Sequence, residues 1–98
     1  IKYSGEAKVR ICGRGKVLNA TRDGEPYDGC IWRIVPDSEE LREQVYFANS
    51  TNWDSFTGAK CRVVAADNAA LNGHSVTVTV LSPDEKSRDS VVIKVVDA

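Results

Sequence analysis

The sequence predicts an all-β fold, an antiparallel β-sandwich of about seven short strands. Three observations lead to this prediction: short runs alternate apolar and polar residues, turn signals separate the runs, and β-branched residues fill them. The clearest example is residues 75–96, SVTVTVLSPDEKSRDSVVIKVV, in which two alternating runs flank a polar turn that contains Pro83. Two such runs joined by a polar link indicate an antiparallel hairpin, and a series of short strands separated by turns is typical of a sandwich.

The alternation also predicts which side chains face the interior, because successive residues of a β-strand point to opposite faces. Further strands are expected in AKVRIC, GKVLNATRDG, CIWRIV, QVYFAN and AKCRVVAA. The GEPYDG segment and the Asn72-Gly73 dipeptide are expected to form turns. The residues predicted to point inward are Val9, Ile11, Leu18, Ala20, Cys30, Trp32, Ile34, Cys61, Val63, Ala65, Val76, Val78, Val80, Val91, Ile93 and Val95.

One segment departs from the strand pattern. In PDSEELREQ, Asp37 stands three residues before Glu40, a spacing typical of a capping box at the start of a helix. We therefore predict a short helical insert after the strand that contains Trp32.

Length and charge limit the classes of protein to consider. A chain of 98 residues is expected to form a single domain, residues 1–98. Lys and Arg number 13 and Asp and Glu number 14, a net charge of −1 that argues against a nucleic-acid partner. No apolar run approaches the roughly 20 residues that span a membrane, so no direct membrane insertion is expected. The chain starts without Met and without a signal peptide, which suggests a module excised from a longer, multi-domain protein.

Several motifs together resemble the bacterial immunoglobulin-like (Big) domains. These motifs are the Trp32 strand IWRI, the Ala-rich turn VVAADNAALNG and the closing stretch HSVTVTVLSPDEKSRDSVVIKVV. Big domains commonly end with a G-x-x-x-VTVTA strand, a turn that holds Asp, Lys and Ser, and a final S-x-x-VTVTV strand. Gly73, Val76 to Val80, Asp84 to Ser87 and Ser90 to Val96 match that plan, and the front half, GKVLNATRDG with CIWRIV, is also similar. The insert after Val35 and the cysteine positions depart from the family pattern.

The resemblance implies an immunoglobulin-like sandwich and a role without enzymatic activity. It implies a structural spacer or adhesion unit of a bacterial cell-surface or secreted protein, monomeric as an isolated domain, with neighbouring domains of the same chain as partners. Two alternatives remain: a module whose loops bind a glycan or a host protein, and an immunoglobulin-like domain on the surface of a phage virion.

The three cysteines, Cys12, Cys30 and Cys61, leave two interpretations open. A disulfide between Cys30 and Cys61 would leave one free thiol, whereas three reduced cysteines would all pack as small apolar residues. Cys12 is expected to be buried at a strand end. The sequence contains no C-x-x-C pair, and its single histidine has no second ligand at metal spacing, so no zinc site is expected. Several carboxylates lie in predicted turns, but no run resembles the D-x-D-x-D loop of calcium sites, so no metal site is expected.

Two aromatic residues in a polar stretch are the candidate ligand contacts. Trp53 and Phe56 lie in ANSTNWDSFTG, where an aromatic ring would stack on a sugar or anchor a partner protein. The alternative is that Trp53 folds back as a lid on one end of the sandwich. His74 has no neighbour in sequence that would mark a catalytic triad, and we expect no catalytic residues and no cofactor.

Overall fold

The computed structural model describes residue 1 and residues 5–97, and β-strands dominate this part of the chain. Its helical content is two short 3₁₀ helices, Glu39–Leu41 and Ala69–Leu71. The all-β prediction is thus confirmed. The strands are β1 (Lys8–Arg10), β2 (Lys16–Asn19), β3 (Thr21–Arg22), β4 (Glu25–Pro26), β5 (Ile31–Pro36), β6 (Val45–Phe47), β7 (Ser55–Thr57), β8 (Lys60–Ala65), β9 (Ser75–Leu81) and β10 (Arg88–Val96).

The strands form three sheets. The largest has five strands in the order β1-β10-β9-β5-β7, a second has the order β2-β8-β6, and β3 and β4 form a small hairpin. In that hairpin Asp23 and Gly24 both have positive φ, as a two-residue type I′ turn requires. The predicted closing hairpin is confirmed, because β9 and β10 pair antiparallel from Arg88 opposite Leu81 to Lys94 opposite Ser75.

One pairing differs from the wholly antiparallel arrangement that the sequence predicted. β1 pairs parallel with β10, with Lys8 opposite Lys94 and Arg10 opposite Val96. The next residue, Ile11, forms a parallel bridge with Ala65 of β8. The first strand therefore contacts both of the larger sheets.

The alternation produces a single core cluster to which both larger sheets contribute. Every residue predicted to point inward is buried, apart from Val91, which is half-buried against the cluster. Trp32 has the largest fully buried side chain, and its Nε1–H donates to the carbonyl of Gly58 at 2.8 Å. Full burial of one large apolar side chain stabilises a fold by about 1.5–3 kcal/mol, so this cluster is the main favourable contribution to folding.

The insert after the Trp32 strand exists, but its predicted capping box does not. The helical turn is a 3₁₀ helix whose N-cap is Ser38, and the Ser38 side chain makes no capping hydrogen bond. Asp37 instead uses its carboxylate to accept from the Ser75 N–H at 3.0 Å. Leu41, which is completely buried, anchors the turn to the core, so packing rather than capping fixes the insert.

Two further strands were not predicted. β4 lies in the GEPYDG segment, which the sequence predicted as a turn, and β7 lies in the polar stretch that contains Trp53 and Phe56. Both are too short to show an alternating pattern of their own. In addition, the single strand predicted in GKVLNATRDG is divided into β2 and β3. The described part therefore has ten strands, where about seven were predicted.

Across the described residues, the structure has no helix of the length and apolar character needed to traverse a lipid bilayer.

Replacing Trp32 by Phe is expected to destabilise the protein by about 2–4 kcal/mol. The substitution leaves a cavity and removes the donor that satisfies the Gly58 carbonyl. Urea unfolding followed by circular dichroism measures the change in the free energy of unfolding.

Trp53→Phe is the matched control, because Trp53 is only half-buried. Its expected cost is about 1 kcal/mol or less. Equal losses for the two variants would show that Trp32 has no special place in the core.

Candidate functional site

Trp53 and Phe56, the predicted ligand contacts, lie at the β7 edge of the five-stranded sheet, Phe56 within β7 and Trp53 just before it. Phe56 belongs to β7, directly opposite Trp32 of β5, and the carbonyl of Trp53 accepts from the Phe47 N–H at 2.9 Å. Both aromatic side chains are half-buried and pack against the core cluster. The rings of Phe47 and Phe56 lie 6.2 Å apart between centroids, a typical distance for an aromatic pair.

The structure does not bring Trp53 and Phe56 into one pocket. Trp53 lines a depression of about 480 Å³ together with Pro36 and Arg42. Phe56 lines a smaller depression of about 180 Å³ together with Val17 and Lys60. A ligand would therefore contact one aromatic residue or the other, and ligand binding at either residue stays a prediction.

A cluster of ionisable side chains that the sequence did not indicate surrounds His74. Its Nδ1 lies 3.1 Å from Oδ1 of Asp37, and its Nε2 lies 3.3 Å from Oε2 of Glu40. Asp37 and Glu40 belong to the insert, whereas His74 immediately precedes β9. The backbones also meet, because the Asp37 N–H donates to the Ser75 carbonyl at 3.0 Å. The cluster ties the insert to the start of β9.

The geometry of this cluster suits a structural role, in which its contacts tie the insert to the start of β9. The two carboxylates contact opposite nitrogens of one imidazole ring, so the three side chains do not converge on a single ion. An imidazolium donates to both carboxylates, whereas a neutral imidazole has only one N–H to donate. The Ser75 N–H, assisted by His74, holds the pKa of Asp37 below its usual value, against a smaller opposing effect of burial. Asp37 therefore stays ionised and keeps the tie in place at neutral pH.

The cysteines are all free in the structure, and the Cys30–Cys61 disulfide is not formed. Cys61 lies in β8 of the three-stranded sheet, whereas Cys30 immediately precedes β5 of the five-stranded sheet. Both are buried. Burial raises the pKa of Cys61 to about 12 and also raises the pKa of Cys30, so both thiols stay protonated and unreactive.

The prediction that Cys12 is buried is wrong. Cys12 is exposed, because Ile11 takes the inward position at the end of the first strand and the next residue points outward. The backbone of Cys12 has a φ of 58°, which marks the turn that follows the strand.

A third depression, of about 320 Å³, lies beside the β3–β4 hairpin. Its wall includes Tyr27, with the guanidinium of Arg22 5.5 Å from the ring centroid. At the other side the amino group of Ile1 lies 2.7 Å from Oδ2 of Asp89. These charged groups already have partners within the depression.

Within residue 1 and residues 5–97, no group of three or more His, Cys, Asp or Glu side chains is arranged to hold a metal ion. Comparison of the chain with models of protein families, with curated proteins and with solved structures gives no match. The fold and the sites above are therefore the basis for any inference about function.

A thiol count of the denatured protein is expected to give three free thiols, because the structure holds the three cysteines unbonded. Reaction with a chromogenic disulfide reagent, with and without prior reduction, measures this number. A count of one before reduction and three after it would show that one disulfide is present and contradict this prediction.

Asp37→Asn is expected to flatten the dependence of stability on pH in the acid range. A carboxyl whose pKa is lowered by folding stabilises the native state above its ordinary pKa of about 3.9. That contribution is lost as the pH falls through the lower, folded value. The variant lacks this contribution at neutral pH and has none to lose on acidification.

Urea midpoints measured between neutral and strongly acid pH test this prediction. Asp67→Asn is the control, because Asp67 is exposed and its carboxylate has no hydrogen bond within the described part of the chain. Parallel pH profiles for the wild type and Asp37→Asn would contradict the assigned role of the tie.

Proposed function

We propose that the chain is a non-enzymatic immunoglobulin-like module that acts as a structural spacer or adhesion unit of a bacterial cell-surface or secreted protein. The observation that carries this proposal is the parallel pairing of β1 with β10. Neighbouring domains of the same protein are its partners.

Parallel terminal strands suit a module that is linked in series. The chain enters β1 beside Lys94 and leaves β10 beside Arg10, so the incoming and outgoing segments leave the pair at opposite ends. The Lys94 N–H donates to the Ala7 carbonyl at 3.0 Å, and the Ile11 N–H donates to the Val96 carbonyl at 2.9 Å. A pull on both termini loads these hydrogen bonds together along the strand direction. Such a pull does not open them one after another.

The two larger sheets support the immunoglobulin-like architecture. One face of each contributes to a single core cluster, and Ile11 crosses from the five-stranded sheet to pair with Ala65 of the three-stranded sheet. The resemblance of the closing strands to Big domains supports a place at the bacterial surface or in a secreted protein. A place on a phage virion remains the alternative and involves the same mechanics.

The chemistry of the described residues favours a role without catalysis. The two buried thiols have raised pKa values and make poor nucleophiles. The imidazole of His74 contacts carboxylates through both nitrogens, which leaves neither nitrogen directed at a substrate.

Val9→Pro is expected to lower the force that unfolds the module when it is pulled between its termini. Ala7 and Ile11 bond to β10, so Val9, two residues from each, also points its N–H towards β10, and proline has no N–H to donate. Single-molecule force spectroscopy on a tandem array measures this unfolding force.

Val9→Ala is the matched control, because it removes buried side-chain volume and keeps the backbone ladder. It is expected to reduce the free energy of unfolding by about 1–3 kcal/mol and to unfold at a higher force than Val9→Pro. Equal unfolding forces for the two variants would contradict the proposal that the β1–β10 pair resists the pulling force.

A further inference from the structure

The charged residues on the outward face of the five-stranded sheet are all cationic. Alternation along β1, β5, β7, β9 and β10 places one set of residues in the core and the other set on this face. The outward set holds five of the 13 cationic residues of the chain and none of its 14 carboxylates. We call this surface the cationic face, and its cations are Lys8, Arg10, Arg33, Arg88 and Lys94.

Four of these cations lack an ion pair within the described part of the chain. Lys8 is paired, since its Nζ lies 2.9 Å from Oε2 of Glu6. Arg10, Arg33, Arg88 and Lys94 are all exposed and have no carboxylate in contact. Although the chain has a net charge of −1, this face thus displays four exposed cations that have no ion-pair partner among the described residues.

The centre of the cationic face is apolar. Val35 and Val92 are the two large hydrophobic residues that the described structure leaves exposed, each with 59% of its surface accessible. Register places both opposite Thr77, so Val35, Thr77 and Val92 form one row across β5, β9 and β10. Single exposed valines are common on protein surfaces, but a row of two valines around a threonine methyl forms a continuous patch.

The cations surround this row on two sides. Arg33 and Arg88 lie on the side towards the β9–β10 turn, and Lys94, Lys8 and Arg10 lie on the other side. An apolar centre with a charged rim is the usual anatomy of a protein–protein interface. With strands about 4.8 Å apart and residues about 3.4 Å apart, the face covers roughly 500 Å². This is less than the roughly 800 Å² that each partner contributes to a standard interface, so the binding is weak.

We propose that the cationic face docks an acidic protein surface. Apolar side chains of the partner would cover Val35, Thr77 and Val92, and its carboxylates would contact Arg33, Arg88 and Lys94. The proposal goes beyond the spacer role and does not depend on it, because the face is independent of how the termini are loaded.

The distribution of charge on the face favours an acidic protein surface over two other partners, a second copy of this chain and a linear polyanion. A second copy docked through the same face would bring like charges together, which disfavours a symmetric dimer. A linear polyanion such as a sulfated glycan or DNA needs charge along its whole path. The central strip of the face, from Ser90 to Val92 on β10, offers it none.

Binding of a glutamate–tyrosine copolymer, which presents carboxylates and apolar rings together, tests the proposal. We expect Arg33→Glu/Arg88→Glu/Lys94→Glu to weaken this binding ~10-fold or more. The control Arg14→Glu/Arg62→Glu/Lys86→Glu makes the same change in net charge at exposed positions outside the cationic face and should change the affinity by less than ~3-fold. Equal losses for the two triple variants would overturn the proposal.

The apolar centre has its own test. Val35→Thr/Val92→Thr keeps β-branched residues of similar size and is expected to reduce copolymer binding to the level measured for polyglutamate.

Tighter binding of heparin or single-stranded DNA than of the copolymer would overturn the choice of a protein partner. If Trp53→Ala weakens copolymer binding as much as the triple charge reversal of the cationic face does, the proposal is also overturned. The copolymer would then contact the Trp53 depression. If charge reversal impairs folding, as judged by circular dichroism, the corresponding Gln variant is used, with the same expected direction.

Discussion

The register of the three central strands, β5, β9 and β10, is the constraint on which the rest of the molecule depends. It aligns Trp32 with Val80 and Ile34 with Val78 on one face, and Arg33 with Thr79 on the other. Because side chains alternate with a period of two, a slip of one residue would exchange the two faces completely. The five-stranded sheet's contribution to the core and the positive charge on its outer face are therefore both set by one choice of pairing. The cost of placing Arg33 in the core makes that choice nearly unique.

Local pattern explains why the interior was predictable from the sequence. An inward position such as Val63 or Val78 is marked by its neighbours two residues away, and the prediction needs no knowledge of distant segments. The same rule places Cys61 inside. It also places Cys12 outside, one residue after the inward Ile11. The expectation that Cys12 is buried relied on the apolar character of cysteine and not on alternation, and it was wrong.

Contacts between distant segments were not predictable in this way. Asp37 and His74 are brought together only when the insert folds over the start of β9, and neither lies within a motif that signals the other. The capping-box spacing of Asp37 and Glu40 pointed to a local role, but the carboxylates contact a distant ring. The parallel orientation of β1 is similar, since a three-residue strand carries no signal of direction or partner. In each case tertiary packing outweighs the local preference of the sequence.

The position of β1 also bears on how the folded protein avoids association with other chains. β10 is the longest strand, and an uncovered edge along such a strand is a template for pairing with another copy. β1 covers the last part of that edge, from Lys94 to Val96, and itself presents only three residues, two of them cationic. Short, charged edges resist the addition of further strands. The segment that joins the two sheets therefore also shields this part of the β10 edge from pairing with another chain.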